Sequence, residues 1–349
     1  METLDRTQPK LRFRDTQIEM AHGAGGKASR RLVEGLIGPY FANPILDAFA
    51  DAARLPYGDG ALATTADGFV VKPLQFPGGS IGELAVNGTL NDLAVSGAKP
   101  LALMATLILE AGLDVAVLRR ELAAMADAAR IVGVPIVGGD TKVVEHGMAD
   151  GMYISTFGIG TIDPRAKLDP ASVAPGDRVL LSGPIGDHGI TILLARGELA
   201  LEADLRSDTR CVWPFVAALF ERCAAQIRWM RDPTRGGVAT ALNELVHGAE
   251  YGVALFEEAI PVNDAVRGAC ELLGLDMLHI ANEGQFLAVV APDAADGALA
   301  TLRALPGGER AACIGEIRRD LKGRVLGVSA YGGMRAIDML VGDPLPRIC

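Results

Sequence analysis

The chain has 349 residues, enough for two domains of ordinary size. Half are apolar, 22% are charged, and the formal net charge is -10, which argues against a nucleic-acid footprint. No apolar run reaches the ~18 residues a membrane span needs, and the polar opening to Asp15 lacks a basic-then-apolar leader. The five cysteines are scattered without any C-x-x-C pair, as expected of reduced thiols in a cytoplasmic protein. Cys211, Cys223, Cys270 and Cys313 fall in apolar patterns and read as core filler. The 42 glycines exceed the usual share of about 7%, which predicts tight turns and close backbone approaches of the kind phosphate sites use.

In chain order, the glycine-rich run His22-Gly23-Ala24-Gly25-Gly26-Lys27 suits either a phosphate loop or a hinge, and its spacing is not that of a Walker A loop. A linker is expected over 44–56, followed by Tyr57-Gly58-Asp59-Gly60 and a strand over 62–71. That strand carries Asp67, and a carboxylate within an apolar strand requires a reason, either a metal ion or a buried ion pair. Residues 80–97 read as a helix ended by Lys99-Pro100. Its Asn87 and Asn91, one turn apart, share a face with small residues that something can approach closely. A near-continuous apolar strand is expected over 101–109. Asp114 then caps a helix whose Leu118, Leu122, Met125, Ala129 and Val132 form a core stripe.

A short strand at 135–137 leads into Gly138-Gly139-Asp140-Thr141-Lys142, which reads as a phosphate or metal corner. A strand over 152–162 closes the first half, and 164–175 is a linker. In the second half, strand 179–182 runs through Gly183-Pro184-Ile185-Gly186-Asp187-His188-Gly189 into a helix. His188 there is a candidate base or a group that positions the helix start. Met230-Arg231-Asp232-Pro233-Thr234-Arg235-Gly236-Gly237 opens another helix, where Arg235 suits an anion and Asp232 a cation. Glu283 stands ahead of an apolar strand over 285–291. The chain ends in Pro344-Leu345-Pro346-Arg347-Ile348-Cys349, a thiol on the last residue behind two prolines that disfavour helix. Extended from Tyr331 at about 3.3 Å per residue, such a tail reaches roughly 50 Å, far enough to enter a distant cleft.

Asp59, Asp67, Asp92, Asp140 and Asp232 all lie near glycine, with Lys27, Lys142 and Arg235 as cations of matching type. Carboxylates in that number suit Mg²⁺ holding a nucleoside triphosphate. The segments Thr-Thr-Ala-Asp67-Gly, Asn91-Asp92-Leu-Ala-Val-Ser-Gly-Ala, Gly138-Gly139-Asp140-Thr141 and Asp232-Pro-Thr-Arg-Gly-Gly resemble motifs of the PurM-like ATP-binding superfamily. With Pro346-Arg347-Ile348-Cys349 the resemblance narrows to the HypE carbamoyl dehydratase family of NiFe-hydrogenase maturation, and it covers nearly the whole chain from His22.

That resemblance implies an α/β fold of α+β type in two domains: a glycine-rich N-terminal extension at 1–44, an ATP-binding domain at 45–163, a C-terminal α/β domain at 175–330 and a mobile tail at 331–349. It implies a homodimer whose N-terminal sheets pair across the two-fold. It further implies ATP and Mg²⁺, with Lys27, Asp59, Asp67, Asn91, Asp140 and Arg235 on ATP, and Asp59, Asp67, Asp92 and Asp232 on the metal. Cys349 would receive a carbamoyl group from the carbamoyltransferase HypF, and ATP would dehydrate it to a thiocyanate. Glu283 would act as base and Lys142 would position the carboxamide or phosphate. The cyano group would pass to iron on a HypC–HypD complex. The alternatives are another enzyme of the superfamily acting on a free small substrate, or a non-catalytic maturation scaffold. Selenophosphate synthetases place a reactive Cys or selenocysteine in the N-terminal glycine-rich run, and none stands between His22 and Lys27.

Overall fold

The structure, a computed structural model, describes residues 13–23, 25–41, 43–46, 50–197, 203–340, 342, 345 and 347–349. Residues 1–12 of the expected extension, and Ala24, Pro344 and Pro346, lie outside these. The described chain begins with a 3₁₀ turn Met20–Gly23, then α1 Gly26–Leu32, a π turn Val33–Ile37 and α2 Gly38–Phe41. The glycine-rich run thus opens a helix.

The first sheet is built from β1 Ala53–Tyr57, β2 Gly60–Phe69, β5 Ala98–Glu110, β6 Ile136–Val144 and β7 Met152–Ile162, in the order β1-β2-β7-β5-β6. A two-residue ladder of β3 Gln75–Phe76 and β4 Gly79–Ser80 lies outside it. Neighbours are antiparallel except β5 and β6, which are joined by a crossover helix. β1 occupies part of the expected linker, and its Pro56 is tolerated because β1 is an edge strand.

Two helices cover one face of this sheet. α3 Ile81–Val95 is buried almost all round, with Leu84, Leu90 and Leu93 wholly inside. Truncating one of these to Ala costs about 2–5 kcal/mol. Gly97, at φ 81, turns the chain out of α3, so the helix ends before Pro100. Pro100 itself sits in β5 beside a bulge. α4 Val115–Val132 starts where Asp114 accepts the Ala116 N–H at 2.8 Å. It crosses α3 so closely that a Cβ on Gly82 would lie 2.3 Å from the Glu121 carbonyl oxygen. Met125 and Ala129 of its expected core stripe are buried, whereas Leu122 is 41% exposed. The opposite sheet face is open: Met104 and Phe157 pair across β5 and β7 there, and both are exposed.

The second sheet runs β14-β13-β10-β12-β8-β11-β9. Its elements in chain order are β8 Arg178–Leu181, α5 Asp187–Ala195, α6 Trp213–Cys223, β9 Ile227–Arg231, α7 Gly237–Val246, β10 Gly252–Phe256, α8 Asp264–Leu273, β11 Leu287–Val290, α9 Ala295–Arg303, β12 Ala312–Arg318, β13 Val325–Val328 and β14 Met334–Ile337. β11 is buried along its whole length, as a strand covered on both faces must be. β14 belongs to the segment expected as tail, so the tail proper starts after a strand paired with β13. Gly138-Gly139-Asp140-Thr141-Lys142 is likewise no corner, because it lies inside edge strand β6. α3 contributes to both hydrophobic cores and sits at the seam between the sheets.

Candidate active site

Three carboxylates meet at that seam. Asp51 precedes β1, Asp92 lies on α3, and Asp232 follows β9. One oxygen of each falls within 4.8 Å of the others. Burial pushes Asp51 up to about 8 against the pull of Arg231, and pushes Asp232 up to about 6. Burial also raises Asp92 well above the usual range, with Asp67, Asp232 and Asp51 adding repulsion. Arg231 gives partial relief, binding Asp51 at 2.8 Å and Glu244 at 3.0 Å. Thr65 donates to Asp92 at 2.8 Å and Thr89 to Asp67 at 3.0 Å. A crowded set of hard oxygen donors held against its own repulsion fits Mg²⁺, which binds through a few carboxylates plus phosphate oxygens. Asp51 and Asp232 line a cleft of about 1550 Å³, shared with Arg231, Thr234, Arg235 and Gly26. That is ample for a nucleotide.

Glu283 is buried nearby, at the end of the loop before β11. Its backbone is gripped from both sides. Asp208 accepts the N–H groups of Glu283 and Gly284, each at 3.1 Å, while Asn91 of α3 donates to the Glu283 carbonyl at 3.1 Å. Asn91 also donates to Arg210 O and accepts from the Val212 N–H, and Asn87 donates to Thr209, so the close approach expected on their face is made by residues 209–212. The Glu283 Oε1 atom has no hydrogen-bond partner among the described residues. Burial first, then Asp232, Asp208 and Asp67, lifts this carboxyl well above its usual range, against Arg235. A carboxylate raised in this way is suited to accept a proton near neutral pH. In front of it α3 carries Gly88, where a Cβ would meet the Phe69 ring at 2.9 Å and lie 3.9 Å from Glu283 Oε2.

The chain end comes to the same seam. Cys349 accepts the Val70 N–H at 3.0 Å through a main-chain oxygen, immediately after β2. Ile348 and Leu345 are buried in the core, and Cys349 is half-buried against it. Arg347 bridges to Asp150 at 2.5 Å and donates to Val70 O. Arg196 donates to the Arg347 carbonyl, and His188 contacts that of Ile348.

Asp67, Asp92 and Asp232 are therefore brought together, with Glu283 and Arg235 electrostatically coupled to them. Arg235 also donates to Gly23 O at 2.7 Å. Lys27 is tied to Asp338 at 2.6 Å, just after β14. Asp59 stands exposed on the β1–β2 turn. Asp140 and Lys142 form an exposed pair at 2.6 Å on β6. Sequence reasoning passed over Asp51, hidden in an expected linker, and Asp208, which carries no glycine context. The only sequence signal for Asp51 is a carboxylate opening a strand.

Known proteins agree with this architecture. The sequence pattern of the AIR synthase related protein N-terminal domain matches residues 49–162, and that of its C-terminal domain matches 174–327. The chain is 46% identical over 340 residues to the carbamoyl dehydratase HypE of Azotobacter vinelandii, covering 97% of this chain and 99% of that one. A chain in a crystal structure of a HypE–HypF complex superposes with a TM-score of 0.84 at 42% identity, covering 88% of this chain and 99% of that one. A crystal structure of the hydrogenase maturation protein HypE in complex with ATP superposes at 0.79 with 45% identity, covering 95% and 99%. Shared fold, near-complete coverage and this level of identity make the chain a member of the HypE carbamoyl dehydratase family.

Proposed function

We propose that this chain spends ATP to dehydrate a carbamoyl group on its own Cys349, converting the S-carboxamide to a thiocyanate that supplies the cyanide ligand of a NiFe-hydrogenase iron. The observation that carries the reading is the docked tail, which holds Cys349 by its main chain on the Val70 amide, just past the end of the strand bearing Asp67.

An amide oxygen is a poor leaving group and phosphate a good one. The carboxamide oxygen forms a bond to the γ-phosphorus as the bond to ADP breaks. One N–H proton is then released. Loss of the second N–H proton, with cleavage of the C–O bond, expels phosphate and leaves the S–C≡N group. The oxygen of the water removed thus departs in the phosphate. Glu283 takes an N–H proton, because it is buried, raised and has an oxygen to spare. Asp51, Asp67, Asp92 and Asp232 hold Mg²⁺ and orient the triphosphate, and Arg235 and Lys27 border it. When bound, the ion offsets phosphate charge.

The open face marked by Met104 and Phe157, and the exposed edge strand β6, support a homodimer joined through the first sheet. Asp59, Asp140 and Lys142 are exposed on one chain, and in such a dimer they would face the partner copy. The relatives bound to ATP and to HypF support ATP as substrate and HypF as carbamoyl donor. A HypC–HypD complex would accept the cyano group in the cytoplasm. No described helix is long and apolar enough to cross a membrane. The test is intact mass spectrometry of the chain carbamoylated on Cys349. ATP and Mg²⁺ should remove the mass of one water; a carbamoyl form that persists in their presence overturns the reading.

A further inference from the structure

We propose that His188 is the positioning residue for the tail, grasping its main chain at Ile348 and tying that grip, through Ser207 and Asp208, to the backbone of Glu283. His188 is wholly buried at the start of α5. Its Nε2 lies 2.6 Å from the Ile348 carbonyl oxygen, and a carbonyl can only accept, so Nε2 carries the proton. Its Nδ1 lies 2.8 Å from Ser207 Oγ. Burial holds the ring neutral, so Nδ1 accepts and Ser207 donates, fixing the tautomer. Ser207 Oγ in turn accepts the Thr209 N–H at 3.1 Å, and the Ser207 N–H is anchored on Pro77 O. The intervening residue, Asp208, clamps the Glu283 and Gly284 amides. One short segment therefore holds the group that reads the tail and the group that seats the base.

The grip reads main chain. The carbonyls of Arg347 and Ile348 and a main-chain oxygen of Cys349 are bound by Arg196, His188 and the Val70 amide in turn. Three successive main-chain oxygens fix how far the tail enters, and with it the depth of the thiol. Of these holders, His188 is the one whose neighbour also touches the segment that positions Glu283. His188 is thus no proton carrier for the carboxamide, because both ring nitrogens are already committed.

The inference rests on the carbamoyl reading for its second readout only. The first is alkylation of Cys349 in the full-length chain, followed by peptide mass mapping, which depends on docking alone. His188→Ala should raise the Cys349 alkylation rate about tenfold, the scale of one lost hydrogen bond to a buried group. His188→Gln keeps an N–H donor of similar reach and should restore most of the protection. With carbamoylated protein at saturating ATP, the Ala variant should dehydrate about tenfold more slowly while its half-saturating ATP concentration stays unchanged. Should His188→Ala lose its melting transition, Ser207→Ala decides instead, with a smaller rise in alkylation in the same direction. Unchanged alkylation in the folded variant, or a Gln variant no better protected than Ala, overturns the proposal. Altered alkylation in a chain that never dehydrates its carbamoyl group overturns the carbamoyl reading and leaves the tail grip standing.

Discussion

Two groups of aspartates look alike in sequence and behave in opposite ways in the fold. Asp92 and Asp232 lie near glycine, as does Asp140. The first two are enclosed at the seam, where burial and mutual repulsion raise them, Asp232 to about 6. Asp140 sits in the open on β6, where a hydrogen bond from Lys142 holds it below its ordinary range. Glycine context marks where backbone comes close, but whether a carboxylate stores repulsion that a cation can relieve depends on what encloses it. Enclosure comes from the second domain, which no local motif reports.

The largest expected effect leaves both groups untouched. Cys349→Ala should abolish cyano product, measured by mass spectrometry with the carbamoyl donor and ATP, while ATP binding persists. Any cyanated chain would break the assignment of the thiol. Next, Glu283→Gln keeps size and hydrogen-bonding reach but loses basicity, so dehydration should fall by about 10² to 10⁴-fold and carbamoyl-Cys349 should accumulate. Prompt conversion would remove Glu283 from the mechanism, whereas a large loss of stability with it would mark a structural carboxylate.

The comparison itself is tested by Asp92→Asn beside Asp140→Asn. Removing an enclosed charge should weaken Mg²⁺-dependent ATP binding by about tenfold or more in calorimetry, yet raise the melting temperature of the cation-free protein. Asp140→Asn relieves no enclosed repulsion and should leave that melting temperature where it was. Equal shifts in the two variants would erase the distinction.

The smallest effect is a pH slope. Asp51 and Asp232 have folded values raised to about 8 and about 6, above the ordinary 3.8. The folded chain therefore holds protons that the unfolded chain has released. Their contribution to stability is complete below the unfolded value and is lost as pH rises through about 6 and then about 8. Buried His188 and the more exposed His247 are both lowered and act in the other direction at acid pH, so Asp51 stands clearest above neutrality. Melting temperature without divalent cations should fall from pH 7 to 8.5, and Asp51→Asn should flatten that fall. A slope that survives in the variant would reassign it.

Much of the fold was legible because periodic burial leaves its mark on local sequence. α4 announces itself through Asp114 and an apolar repeat, and β7 reads as a strand whose burial then alternates in the fold. Several of the errors share one cause, a reading of glycine and proline as breaks. Pro56 and Pro100 lie in strands at an edge and a bulge, and Gly138 and Gly139 lie in edge strand β6. The site was legible where a carboxylate stood in an apolar setting, as with Asp67 and Glu283. Asp51 and Asp208 escaped because each acts on a partner far along the chain, Arg231 and the Glu283 amide. The terminal motif marked a reactive thiol on a tail expected to be mobile, whereas its docked position and its holders, Arg196 and His188, are visible only once the chain is folded.

The position of Asn91 has a consequence for folding. Its amide, on a helix of the first domain, is saturated by three backbone groups of the second, those of Arg210, Val212 and Glu283. If the second domain came apart, that amide and most of α3 would lose their surroundings at once, since the helix serves both cores. The two domains therefore lack a boundary along which one can melt alone. Calorimetry should find a single transition whose van't Hoff and calorimetric enthalpies agree, and the whole chain, with both sheets, should behave as one cooperative unit.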